Sequence, residues 1–106
     1  EKVIFSPKVL DYTEDLIRAL FEENYFAFSE NAIEYVRRLT AFCIEKIPLY
    51  PASIPPITLK VFGDYYLTYQ SNQRTTWYIF FLHKGDNFLV THIFNNHSPE
   101  AALLRN

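Results

Sequence analysis

Two short groups of residues in this 106-residue chain have the makings of a reaction site. The first is Arg74-Thr75, with Trp77 just beyond; the second is Asn95-Asn96-His97. An imidazole titrates near neutrality, so His97 can take a proton from a ribose hydroxyl or return one to a leaving oxygen. The planar fork of Arg74 suits bidentate binding of a phosphate or carboxylate. The amides of Asn95 and Asn96 can donate to phosphate oxygens or fix the tautomer of the imidazole. Thr75 adds a hydroxyl, and Trp77 offers a ring on which a base can stack. On this reading His97 and Arg74 are the catalytic pair, and Asn95, Asn96, Thr75 and Trp77 bind the substrate. The plainer reading stands beside it: Asn-Asn-His-Ser-Pro is turn chemistry leading into a capped helix, and Arg74 makes an ordinary salt bridge.

Two apolar runs must position these groups. "TTWYIFFL" and "NFLVTHIF" flank "HKGD", whose Gly85 stands where a turn needs positive φ. Antiparallel pairing about that turn lays the start of the first run beside the end of the second. Counting outward from Lys84-Gly85 puts Thr76 or Trp77 near Phe94 or Asn95. Arg74, Thr75, Asn96 and His97 then gather at one end of a sheet. Strand alternation places His92, Phe94 and Asn96 on one face and Thr91, Ile93 and Asn95 on the other. His92 is expected as a buried or sheet-surface histidine. Both runs are apolar on both faces, as expected of central strands covered on each side or on one side plus a neighbour.

The rest of the chain supplies the cover. "KVIFSP" fits a short strand closed by Ser-Pro. "KVLDYTEDLIRALFEEN" has helical spacing at Val9, Leu10, Tyr12, Leu16, Ile17, Leu20 and Phe21. "YFAFS" interrupts it, and Ser29 is placed to cap a second helix with Glu30 suited to the dipole. That helix puts Ile33, Val36, Leu39, Cys43 and Ile47 on one stripe and stops at Pro48. Cys43 reads as a core thiol; Arg37 and Arg38 face solvent or pair with Glu34. "PLYPASIPP" holds four prolines in nine residues and reads as an extended connection. "TLKVF", Gly63-Asp64 as a turn or bulge, and "YYLTYQ" suggest one bent strand or two short ones, with Tyr65, Tyr66 and Tyr69 packing on the sheet. In "SPEAALLRN", Ser98 caps a short helix and Pro99 takes its first position. The order is strand, helix, helix, then three or four antiparallel strands: an α+β two-layer arrangement in one domain, residues 1–106.

Composition narrows the function. Hydrophobic residues make up 49% and aromatics 18%, which argues against disorder. No apolar run approaches the roughly 20 residues of a membrane span, and no leader pattern is present, so a cytoplasmic protein without membrane contact is expected. One cysteine cannot form an internal disulfide. The net charge of −2 hides an asymmetry. Up to Pro48 nine acids face six bases; beyond it three acids face four bases and all three histidines. Any phosphate-facing surface must be local and lie in the C-terminal half. Three dispersed histidines and one helical cysteine lack metal-ligand spacing, and there is no phosphate-cradling glycine loop, hydrolase elbow or dinucleotide fingerprint. Neither metal nor cofactor is expected.

Over nearly the whole chain, the order of elements resembles the RelE/ParE superfamily of bacterial toxins. The local likeness lies in "RTTWYIFFLHKGDNFLVTHIFNNHS", where "WYIFFL" occupies the first strand and "FLVTHIFNNH" the second. The resemblance implies an N-terminal strand and a helical hairpin packed on an antiparallel three- to four-stranded sheet. It further implies the toxin half of a type II toxin–antitoxin system, held inactive by a cognate antitoxin that binds as a helix in a groove or as an added strand. Two activities follow from it: ribosome-dependent cleavage of mRNA (an mRNA interferase), or obstruction of DNA gyrase. A non-catalytic interaction module that keeps the fold alone is the alternative.

Overall fold

The computed structural model describes residues 2–22, 29–49 and 51–104. The chain runs β1 (Lys2–Phe5), α1 (Pro7–Glu22), α2 (Ser29–Lys46), a 3₁₀ helix (Ile57–Phe62), β2 (Tyr65–Asn72), β3 (Thr75–Lys84), β4 (Asn87–Asn95) and a second 3₁₀ helix (Pro99–Leu104). This is the expected α+β arrangement. The strands form one sheet in the order β1-β4-β3-β2. β2, β3 and β4 are the antiparallel meander, and β1 joins parallel to β4, making the sheet mixed. Gly85 turns the β3–β4 hairpin at φ 57°, the left-handed region that favours glycine.

Helix α1 begins where "FSP" leaves β1. The Ser6 hydroxyl accepts the Val9 N–H at 3.2 Å, capping the helix, and Pro7 takes the first helical position, where its missing N–H costs nothing. Val9 is buried, while Tyr12 and Leu16 pack partly buried against the core. Helix α2 starts at Ser29, the expected boundary. The Ser29 side chain, the side chains of Leu20 and Phe21, the interrupting residues before Ser29 and Arg105 lie outside the described part. The α2 stripe is Ala32, Val36, Leu39, Cys43 and Ile47; Ile33, expected on it, is instead exposed. Ala32 is one step round the helix and one turn before Val36, so the small residue makes the close contact. Arg37 and Arg38 pair with Glu34 at 2.9 and 3.4 Å, as expected. Cys43 is fully buried, and burial pushes its thiol up to about 12, so it is a core side chain and not a nucleophile.

The sheet separates two cores. On the helical face Trp77, Ile79 and Phe81 of β3 meet Leu67, Phe88, Val90 and Ile93 under α1 and α2. On the opposite face Phe80 and Phe94 pack with Leu59 and Ala101 of the two 3₁₀ helices. Both Val90 and Ile93 reach the helical core because the ladder slips between Phe80 and Phe81: Phe80 pairs with His92 but Phe81 with Val90. Thr91 is the extra residue. Expected beside Ile93, it instead turns its hydroxyl to the carbonyls of Phe62 and Phe80.

"TLKVF" is not a strand. Pro55 and Pro56 precede it, the Leu59 N–H returns to the Pro56 carbonyl at 2.9 Å, and the run coils into the first 3₁₀ helix. Leu59 is buried while Ile57 and Val61 are 86% and 83% exposed, so only one side of this apolar run enters the core. Pairing with β2 is closed to it, because Ser53 already exchanges both backbone bonds with Tyr66 at the sheet edge. Gly63 next meets β3 at close range. A methyl group there would lie 2.9 Å from the Phe81 nitrogen and 3.1 Å from the Phe81 oxygen and the Phe80 Cβ. Backbone cannot yield as a flexible side chain does, so Gly63→Ala is expected to lose about 1–3 kcal/mol, read as a lower urea midpoint.

Candidate functional site

Strand pairing brings the two groups of residues together. Trp77 lies opposite Asn95 and Tyr78 opposite Phe94. Without the Thr91 bulge, counting from the Lys84–Asn87 pair would set Trp77 against Phe94; the extra residue selects Asn95. Beyond the ladder the Asn96 N–H donates to the Thr76 carbonyl at 3.0 Å. The Asn96 side chain accepts the Thr76 N–H at 2.8 Å and donates to the Arg74 carbonyl at 3.0 Å. One amide thus ties the end of β4 to the corner that starts β3. The Arg74 N–H is held in turn by the Asn72 side chain at 2.8 Å.

The Asn95 side-chain oxygen accepts the His97 N–H at 2.8 Å, and the Ser98 N–H returns to the Asn95 carbonyl at 3.0 Å. This Asx turn swings His97 clear of the sheet. His97 is exposed, and its Nε2 sits 3.5 Å from the Thr75 hydroxyl, the outer limit of a hydrogen bond. Arg74 is exposed as well, and among the described residues its guanidinium makes no ion pair. Arg74, Thr75 and His97 therefore present one cation, one hydroxyl and one imidazole to solvent at the same end of the sheet.

Three of the six expected residues do other work. Trp77 cannot stack on a base: it is 1% exposed, with Tyr12 and Tyr35 set edge-on to its ring at centroid distances of 6.4 and 6.5 Å. Asn96 spends both ends of its amide on backbone, and the Asn95 oxygen accepts the His97 backbone N–H, so these contacts hold the turn and not the imidazole ring. The turn reading of "NNHSP" is correct for the two asparagines, and Pro99 does open a helical turn. Burial, then the nearby Glu100 carboxylate, then Tyr35 raise the Tyr12 phenol, so it stays protonated beside Trp77. Sequence reasoning missed Tyr35 and Ser71. The Trp77 indole N–H donates to the Tyr35 hydroxyl at 3.0 Å, and Tyr35 meets the Ser71 hydroxyl at 2.7 Å. A polar atom on the core face of α2 was the available signal.

His92 lies on the other face, half-buried, its ring parallel to Phe62 at a centroid distance of 3.9 Å. Burial and then the Lys8 ammonium lower its titration from the ordinary 6.5, against an opposing pull from Glu100. With the folded value depressed, the unfolded chain takes up the proton first as pH falls. The neutral stack therefore contributes fully above about pH 6.5, and that contribution is lost as pH falls through the lowered value. Wild-type unfolding midpoints should drop below pH 6.5, and His92→Phe should flatten that dependence.

At the far end of the sheet Ile47, Pro48, Tyr65, Phe81, His83 and Phe88 line an open cleft of about 270 Å³, away from every residue named above as site-forming. Among the described residues no three His, Cys, Asp or Glu side chains converge to hold a metal, and no helix is long and apolar enough to cross a membrane. Comparison with models of protein families, with curated proteins and with solved structures finds no match for this chain.

Proposed function

We infer that this protein is the toxin-like component of a bacterial type II toxin–antitoxin system, and that the exposed Arg74–Thr75–His97 corner is its working surface. The observation that carries this reading is the convergence itself: an arginine free of ion pairs among the described residues, beside an imidazole within reach of a hydroxyl. As an endoribonuclease, the guanidinium of Arg74 holds the scissile phosphate. His97 takes the proton of the 2′-hydroxyl as that oxygen bonds to phosphorus, the bond to the 5′ oxygen breaks, and the imidazolium of His97 returns the proton to the departing oxygen. The products are a 2′,3′-cyclic phosphate and a 5′-hydroxyl. The RelE/ParE likeness of the element order supports the same reading.

A second reading has its own observation. Lys84 sits at the opposite end of β3, paired with Asn87, so Arg74 is the cation that the described part of the corner offers. So little positive charge suits a surface that blocks a protein such as gyrase without cutting RNA, or a module that only binds. Leu49, Ile54, Ile57 and Val61, 67–86% exposed, give a partner such as an antitoxin peptide apolar anchoring surface. Induced expression in a bacterial host separates the readings. Growth arrest with cuts mapped in cellular mRNA by primer extension supports the nuclease. Arrest with a DNA-damage response and intact RNA supports gyrase as target; unaltered growth supports the binding module and defeats the toxin reading.

A further inference from the structure

A chain of hydroxyls runs from the core to the exposed corner. Tryptophan's indole nitrogen only donates, so the Tyr35 oxygen accepts from Trp77 at 3.0 Å. Ser71 carries one proton, and the Thr75 carbonyl, 3.4 Å from its hydroxyl, can only accept it. With the Ser71 proton on the Thr75 carbonyl, Tyr35 is the donor in its 2.7 Å contact with Ser71. Trp77 thus orients Tyr35, Tyr35 orients Ser71, and Ser71 holds the backbone of Thr75.

The residues on either side of Thr75 are gripped from the end of β4. Asn96 holds the Arg74 carbonyl and both backbone groups of Thr76. Between the two grips lies Thr75, whose hydroxyl is the one that reaches His97. Asn96 fixes the corner to β4, and the hydroxyl chain fixes it to α2 through β2. Two independent supports on consecutive residues are what a preorganised site requires, since a displacement of about 1 Å is enough to spoil its geometry.

We propose that Tyr35 and Ser71 are positioning residues for the Arg74–Thr75–His97 corner, acting through the Thr75 carbonyl to set the Thr75–His97 contact. Calling that corner a working site rests on the toxin reading; the mechanical coupling does not. The test is heteronuclear NMR on the full chain, following backbone amides and the ring nitrogens of His97. Tyr35→Phe keeps the aromatic ring and removes the hydroxyl. Ser71→Ala breaks the chain one step on, and Ser71→Thr restores a hydroxyl at that step.

Tyr35→Phe and Ser71→Ala are each expected to shift the Thr75 and Thr76 amides and the His97 ring signals, while Gly85 and Asn87 at the far hairpin stay in place. Ser71→Thr should return the His97 signals toward those of the wild type, a rescue that loosened packing alone would not give. Unmoved Thr75 and His97 signals in both disruptive variants overturn the proposal, as do equal shifts at both ends of the hairpin. Should Tyr35→Phe fail to fold, the Ser71→Ala and Ser71→Thr pair decides alone. These spectra are independent of any effect on growth, so a failure of the toxin reading and a failure of the coupling are told apart.

Discussion

Trp77→Ala lowers the unfolding free energy by about 3–5 kcal/mol, a large part of the 5–15 kcal/mol that holds a small domain together. The residue is 1% exposed, stands on the helical face of β3 among Ile79, Phe81 and Leu39, and has Tyr12 and Tyr35 edge-on to its ring. Truncation removes that apolar area and leaves a cavity that helices pinned to a four-stranded sheet can only partly close. It also deprives Tyr35 of its donor. Trp77→Phe separates the two effects: most of the area remains, the N–H is lost, and the expected cost falls to about 1–3 kcal/mol. Urea unfolding followed by far-UV circular dichroism measures both, since the chain's one tryptophan is the residue removed. An alanine variant within about 0.5 kcal/mol of wild type contradicts the burial and restores Trp77 as a surface group.

Asn96→Ala is expected to lose about 1–3 kcal/mol, as much as Gly63→Ala, although the residue is only half-buried. The substitution strips the partners from the Thr76 N–H and the Arg74 carbonyl at once. Asn96→Asp is informative beside it. A carboxylate still accepts the Thr76 N–H but sets a negative oxygen against the Arg74 carbonyl, so it should not recover the wild-type midpoint. His97→Ala, by contrast, removes an exposed ring and should stay within about 0.5 kcal/mol. Neighbouring residues of one motif thus divide between holding the corner and facing solvent beside it. Equal stability losses at both positions would erase that division.

The features that were legible in the sequence are those fixed by local chemistry. Gly85 and the apolar runs around it specified the β3–β4 hairpin, and that turn was enough to predict which ends meet. Periodicity in α2 foresaw the core position of Cys43, though it chose Ile33 over Ala32, because a small residue on a core face carries little hydrophobic signal. Glu34 at helical spacing from Arg37 and Arg38 made those pairs readable. The errors share a cause in long-range contact. "TLKVF" has strand-like residues, but the lane beside β2 was already taken by Ser53, which no local pattern reveals. The Thr91 bulge is invisible where both faces of a strand are apolar, since alternation then has no phase to break. Trp77 shares its face with Ile79 and Phe81, and that alternation could have marked it as core; its capacity to stack on a base drew the wrong inference. The parallel pairing of β1 with β4 depends on residues some 85 positions apart in the chain, beyond any local rule.

The asparagines show how a polar motif can be structural and still border a candidate site. Two amides end the apolar hairpin because the backbone groups beyond the ladder need partners, and short amide side chains supply them. Among the described residues the guanidinium of Arg74 makes no ion pair, and the ring of His97 meets the Thr75 hydroxyl at 3.5 Å.

The proposed joint action of Arg74 and His97 is tested most directly by induced expression of wild type, Arg74→Ala and His97→Ala at matched protein levels, with folding of each variant confirmed by its unfolding midpoint. The wild type should halt growth, and either substitution should release it while leaving the midpoint nearly unchanged. Two folded variants that both arrest growth as fully as the wild type would contradict the claim that this corner does the work.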